Sequence, residues 1–196
     1  MFAIYDFKDL VSLDIPWWNL DATDRVAAFL AKRDNAKVFE YGSGSSTVWL
    51  AKRAGQITSV EHDPLWFSYL KDYGALPANV SLLNVSTDTE EERDESCSSG
   101  RHGDEDKCFG NYVHAITKQG QLFDLIVIDG RARVACLRLA KDYLAEGGII
   151  LFDNAGRDRY QTGLSNSGFE IEKYSGLTAC LPYPDQTYLL KRVPAE

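Results

Sequence analysis

The sequence predicts an α/β fold: a doubly wound, mostly parallel seven-stranded sheet with one antiparallel strand near the C-terminus. Three observations carry that expectation. Short apolar runs of strand length alternate with helix-length stretches from residue 21 to residue 152, the pattern of a parallel sheet covered on both faces. The first run ends in a glycine turn, Gly42-Ser43-Gly44, which opens a helix. The last two runs are joined by a turn holding Pro182 and Pro184 with no room for a helix, so one of them runs antiparallel.

In chain order, residues 21–33 read as a helix, with Val26, Ala27, Phe29 and Leu30 apolar and Asp21 or Thr23 as cap. Strands follow at 38–41, 57–61, 80–85, 122–129, 148–152, 169–174 and 187–191, and helices at 47–53, 66–73, 112–118 and 134–144. The strand at 122–129 is apolar on both faces, as a central parallel strand must be. The rhythm breaks at residues 86–110, where Glu90-Glu91-Glu92, Asp94-Glu95 and Asp104-Glu105-Asp106 sit among serines and glycines. That stretch has little to bury and reads as a mobile acidic insertion. With 196 residues and no linker or internal repeat, the whole chain, 1–196, is expected to be one domain.

Composition narrows the function. The formal net charge is −8, whereas a nucleic-acid binder gains affinity by neutralising phosphates with a basic face. Nucleic acid is therefore not an expected partner. No apolar run reaches the roughly 20 residues that span a bilayer. The opening Met1-Phe2-Ala3-Ile4-Tyr5-Asp6 lacks a basic region and apolar stretch, so a cytoplasmic location without a membrane partner is expected. Cys97 and Cys108 flank His102 but lack the C-x(2–4)-C spacing of structural zinc. They read as two exposed loop thiols, with a regulatory disulfide left open.

The chemistry concentrates at Glu40-Tyr41-Gly42-Ser43-Gly44-Ser45-Ser46-Thr47. Glycines at the first and third positions of the turn let the backbone approach a ligand, and the following helix offers free N–H groups to a carboxylate. Glu61 ends the second strand 19 positions after Gly42, where an acid can accept hydrogen bonds from both ribose hydroxyls. Nicotinamide enzymes prefer a small residue where Thr47 stands. Glu40 would repel a pyrophosphate but not an ammonium and a sulfonium. The electrostatics therefore favour S-adenosylmethionine as cofactor.

These segments resemble a known family. Residues 38–47 with Ser59-Val60-Glu61-His62-Asp63 look like the first two motifs of class I, Rossmann-like S-adenosylmethionine-dependent methyltransferases, and residues 123–130 and 146–153 resemble their fourth- and fifth-strand motifs. Closest are small bacterial methyltransferase-like proteins of unassigned substrate, which carry an aromatic pair like Trp17-Trp18 and an aspartate-asparagine pair like Asp153-Asn154. The resemblance implies the class I methyltransferase fold and an adenine slot lined after Glu61 and after the third strand. It also implies methyl transfer to a small-molecule acceptor above Gly42 and Asp129. Cofactor contacts fall to Glu40, Tyr41, Gly42, Ser43, Gly44, Ser46, Thr47, Glu61, His62 and Asp129, with His62 edging the adenine. Asp129, Asp153 and Asn154 are the catalytic candidates. A protein that binds the cofactor without catalysis is the alternative, since no base is identified.

Asp129 with Asp153-Asn154 is also similar to the metal site of catechol and caffeoyl-CoA O-methyltransferases. The catechol enzymes place a lysine base after the first aspartate. Here Gly130-Arg131-Ala132-Arg133 follows, and an arginine is a poor base. A guanidinium about 6 Å from a divalent cation repels it by nearly 3 kcal/mol per unit charge at an effective dielectric near 20, so no tightly bound metal is expected. Arg131, Arg133, Arg157 and Arg159 gather over the same rim. They either clamp an anionic acceptor or pair with the acidic insertion. Trp17-Trp18 either lids the cofactor or staples the first helix.

Overall fold

The computed structural model describes residues 4–73 and 76–193; the first three residues of the chain's opening lie outside them. Two helices, α1 (Phe7–Leu13) and α2 (Leu20–Leu30), precede the sheet. There follow β1 (Lys37–Tyr41), α3 (Ser45–Ala51), β2 (Gln56–Glu61), α4 (Pro64–Asp72) and β3 (Val80–Asn84). The second half holds α5 (Gly110–Val113), a 3-10 turn at His114–Gln119, β4 (Phe123–Ile128), α6 (Arg133–Ala140), β5 (Leu144–Phe152), α7 (Asp158–Ser165), β6 (Phe169–Gly176) and β7 (Asp185–Arg192). Among the described residues, no helix is long and apolar enough to cross a membrane.

The seven strands lie in the order β3-β2-β1-β4-β5-β7-β6. The first five are mutually parallel, and β7 runs antiparallel to both β5 and β6, as the short proline turn requires. β1 and β4 are buried on both faces beyond their first residues, so their apolar side chains enter one of two cores. One core holds Phe39, Tyr41, Ile126, Ile128 and Phe152; the other holds Val38, Leu125, Val127, Leu151, Trp18 and Trp49.

The ladder continues one residue past the strands: Gly42 N–H donates to Val60 O at 2.9 Å, Asp129 N–H to Tyr41 O at 3.0 Å and Asp153 N–H to Ile128 O at 3.1 Å. These bonds hold the glycine turn and both aspartates along one carboxyl edge, where open α/β sheets take ligands.

Four local expectations change. The α2 cap is Asn19, whose Oδ1 accepts from Ala22 N–H at 3.1 Å, not Asp21 or Thr23; Thr187 Oγ1 pins Asn19 by its backbone N–H. α1 and α7 were not expected from the sequence. The insertion contains two 3-10 turns, Glu90–Glu92 and Glu95–Cys97, and buries more than its composition suggests. Cys97 and Cys108 are free thiols exposed by only 4% and 3%, not exposed ones. The reason is packing: Phe109 is fully buried in the first core, and the hydrogen bond from its N–H to Cys97 O draws both cysteines in behind it.

Candidate active site

A cleft of about 570 Å³ opens along the carboxyl edge, within the range of roughly 300–1,000 Å³ typical of small-molecule sites. Its wall brings together Gly42, Ser43, Gly44, Ser46, Glu61, His62, Asp129, Asp153 and Asn154. Glu40, Tyr41 and Thr47 are not on that wall.

Gly42 is glycine for two reasons. Its φ is +94°, and a Cβ would lie 2.8 Å from the Gly130 backbone, so the β1 and β4 loops meet main chain to main chain. Gly44 differs, with extended backbone (φ −179°) and open space where a side chain would project. Behind this turn lies Glu40, fully buried. Ser46, Ser59 and Thr47 donate hydroxyl protons to its carboxylate at 2.5, 2.5 and 2.6 Å, and Thr47 Oγ1 also accepts from Gly44 N–H at 2.9 Å. Burial pushes Glu40 up to about 7 against these three hydroxyls. Glu40 thus fastens the glycine turn to β1 and β2 from behind. Tyr41 points away, donating to Val113 O at 2.7 Å.

Glu61 does face the cleft, 3% exposed. Its carboxylate accepts from the backbone N–H groups of His62 and Asp63 at 2.8 Å and of Ser43 at 3.2 Å. His62 Nδ1 lies 2.8 Å from Glu61 Oε1, yet out of line for a hydrogen bond, and stays buried without a partner. Its ring packs edge-on to Phe109 and Tyr112. Trp66 on α4 lines the wall beyond and donates to Ser43 O at 2.9 Å. The residues after β3 do not line the cleft as expected. Asp88 instead caps α5 by accepting from Gly110 and Asn111 N–H, and Ser99 and Arg101 of the insertion take that part of the rim.

The other end of the cleft is built around Arg133, 6% exposed. Its guanidinium donates to Gly130 O at 3.1 Å, to Asp129 O at 2.8 Å, to Asp129 Oδ1 at 3.0 Å and to Asp153 O. One side chain therefore ties the ends of β4 and β5. Trp18 Nε1 donates to Asp129 Oδ2 at 3.3 Å and Thr187 Oγ1 to Asp153 Oδ1 at 2.5 Å. Burial raises Asp129, and burial together with the Asp129 charge pushes Asp153 well above the usual carboxylate range. Asn154, at φ +49°, donates from Nδ2 to Asp185 Oδ2 at 2.6 Å.

The four clustered arginines divide between the roles open to them. Arg133 is structural and inward; Arg131 pairs with Asp104 of the insertion at 2.9 Å; Arg157 and Arg159 line the cleft from exposed positions. The tryptophans divide too. Trp18 is fully buried against Trp49, while Trp17 is 45% exposed on the cleft wall. Cys180, Leu181 and Tyr183, from the β6–β7 turn, complete the wall; nothing local in the sequence marks them.

This sheet order, with a glycine turn after β1 and an acid ending β2, defines a class I, Rossmann-like methyltransferase architecture. The methyltransferase-domain family matches residues 39–155, more than half of the chain, and the chain belongs to it, within the S-adenosylmethionine-dependent class I superfamily. No curated protein matches the sequence. Among solved structures, a precorrin 8w decarboxylase from Methanobacterium thermoautotrophicum is similar over 96% of both chains, with 18% identity and a TM-score of 0.60. A methyltransferase-like protein from Silicibacter pomeroyi shares 23% identity over 92% of both chains, at a TM-score of 0.53. A putative methyltransferase from Streptococcus mutans in complex with S-adenosylhomocysteine shares 12% identity over 86% of this chain and 96% of its own, at 0.54. At these identities the likeness is one of fold.

Proposed function

We propose that the chain transfers the methyl group of S-adenosylmethionine to a small-molecule acceptor within this cleft. The observation that carries the reading is Glu61: a nearly buried carboxylate, held on three backbone N–H groups, facing the cleft beside an open glycine turn. Neutral amide dipoles hold it without cancelling its charge, so it remains an acceptor for ribose hydroxyls and an electrostatic match for a cation. Space beside Gly44 fits a ligand on this side.

When bound, the sulfonium supplies an activated methyl group that leaves its sulfur as a neutral thioether as the acceptor's lone pair attacks in line. The protein's share is alignment and proton handling. Asp129 faces the junction of the two ends, oriented by Arg133 and Trp18, and either holds the acceptor's nucleophile or receives its proton. Asp153 lies beside it past the end of β5, and Asn154 holds Asp185. We assign no tightly bound metal to this pair, because the Arg133 guanidinium already occupies the carboxylate face a cation would use.

Calorimetry with S-adenosylmethionine, S-adenosylhomocysteine and NAD tests the reading. The first two should bind in the micromolar range, about −8 kcal/mol. Glu61→Ala should weaken them about tenfold or more, the scale of hydrogen bonds to a charged group. Tighter binding of NAD overturns the assignment. Activity abolished by EDTA and restored by Mg²⁺ overturns the metal-free mechanism alone.

A further inference from the structure

The cleft is electrostatically divided. Besides Asp129 and Asp153 and the already paired Arg131 and Arg133, its wall carries Glu61 and Asp63 on the α4 side and Arg101, Arg157 and Arg159 on the insertion and α7 side. None of these three arginines makes an ion pair with a described residue, although acids outnumber bases 29 to 21 in the chain. Each comes from a different place: Arg101 from the acidic insertion, Arg157 from the loop after β5, and Arg159 from α7. One ion pair ties the rim, and one side chain runs alongside it. Arg131 bridges to Asp104 three residues beyond Arg101, and the Arg159 side chain reaches within 3.7 Å of the position a Cβ would take at Gly100. Arg159 also lies over the Tyr160 ring at 4.7 Å, which orders its stem.

A second cleft of about 560 Å³ lies on the far side of this rim, and Ser99, Arg133, Arg159 and Tyr160 line both. Arg138 and Lys141 add two more cations there, against the single acid Glu95. The positive region thus continues outward from the cleft rather than ending at its mouth.

Resting on the methyltransferase reading, we propose that the acceptor is a small anion, its carboxylate or phosphate gripped by Arg101, Arg157 and Arg159. A guanidinium pairs bidentately with either group. Three cations on one cleft wall, none in an ion pair, are otherwise left to repel one another. The division also sorts the two ligands: the cationic methyl donor is drawn to the acidic wall and the anionic acceptor to the basic one. The role of the insertion follows, because it supplies one of the three cations and hangs on the cleft through Asp104.

Isothermal titration with inorganic phosphate, benzoate and benzamide tests this, on the full chain alone and with S-adenosylhomocysteine. Phosphate binding without benzoate binding marks a phosphate acceptor, and the reverse a carboxylate acceptor; either supports the proposal, while benzamide should not bind. The double variant Arg101→Ser, Arg159→Gln, both at exposed positions, should weaken the bound anion at least tenfold and S-adenosylhomocysteine less than twofold. Neither anion binding, or binding undiminished in the variant, overturns the proposal. So does a short RNA oligomer that binds the same rim more tightly than both anions. Failure of S-adenosylhomocysteine to bind, with the anion titration intact, counts against the methyltransferase reading and not against the anion site.

Discussion

The two ends of the cleft hold buried carboxylates by opposite means. At the β1–β2 end, Glu40 and Glu61 rest on hydroxyls and backbone N–H groups, with no lysine or arginine in contact. At the β4–β5 end, the buried guanidinium of Arg133 holds the Asp129 carboxylate and the backbone carbonyl of Asp153, whose own carboxylate takes the Thr187 hydroxyl. Neutral dipoles stabilise a carboxylate but leave its field intact, whereas a guanidinium cancels it. The first end therefore keeps negative charge for a cationic ligand, and the second spends its charge on fixing two loops.

The largest effect that would break this comparison lies at Arg133. Arg133→Met should destabilise the protein by about 3 kcal/mol, because it removes the cation of the half-buried Asp129 and the donor to the Gly130, Asp129 and Asp153 carbonyls. Denaturant unfolding measures this, and a loss below about 1 kcal/mol would mean that the β4–β5 end does not depend on its guanidinium.

Next is Glu40. Its pKa of about 7 lies above the ordinary 4.5, so its protonated form is favoured by folding. The sign follows: this stability, about 3 kcal/mol, is fully present below pH 4.5 and is lost as pH rises through about 7. Glu40→Gln mimics the protonated form, so its stability relative to the parent should climb across that window. Parallel pH curves for the two proteins would contradict the account.

The glycine turn sharpens the contrast further. Gly42→Ala, at positive φ and against the Gly130 backbone, should cost about 2 kcal/mol or more. Gly44→Ala meets nothing and should cost less than about 1 kcal/mol, so any defect it shows should be in ligand binding. The smallest effect is at the insertion. Asp104→Asn should cost about 1 kcal/mol globally while speeding amide hydrogen exchange over residues 90–107, and no change in exchange there would deny the Arg131–Asp104 tie any role.

The same contrast explains what was legible in the sequence. The β1–β2 end is built within some twenty residues, so the spacing of Gly42 and Glu61 announced it before any coordinates. Even there, Glu40 was read as a ligand contact and stands behind the turn; a serine in the middle of the buried strand, Ser59, was the available signal for its partner. The β4–β5 end joins Asp129 to Trp18 across 111 positions and Asp153 to Thr187 across 34, and no local pattern encodes such pairs. α1 was legible but unread: Asp6 caps it, and Phe7 and Leu10 are spaced three apart on its buried face. The thiols of the insertion are buried where composition points to exposure, because composition counts side chains and not their placement; Cys97 and Phe109 both enter the first core.

Trp66 also gives the cleft a built-in optical reporter. Its indole holds Ser43 O, stacks on Tyr69 at 5.1 Å and faces the cleft, while Trp17 lines the opposite wall and Trp18 touches Asp129. Three of the four tryptophans are thus wired to the site, while Trp49 packs behind Trp18 in the core. Unlabelled protein should therefore signal occupancy by a change in its own emission, and Trp66→Phe and Trp17→Phe would separate a signal arising at the acidic wall from one arising opposite.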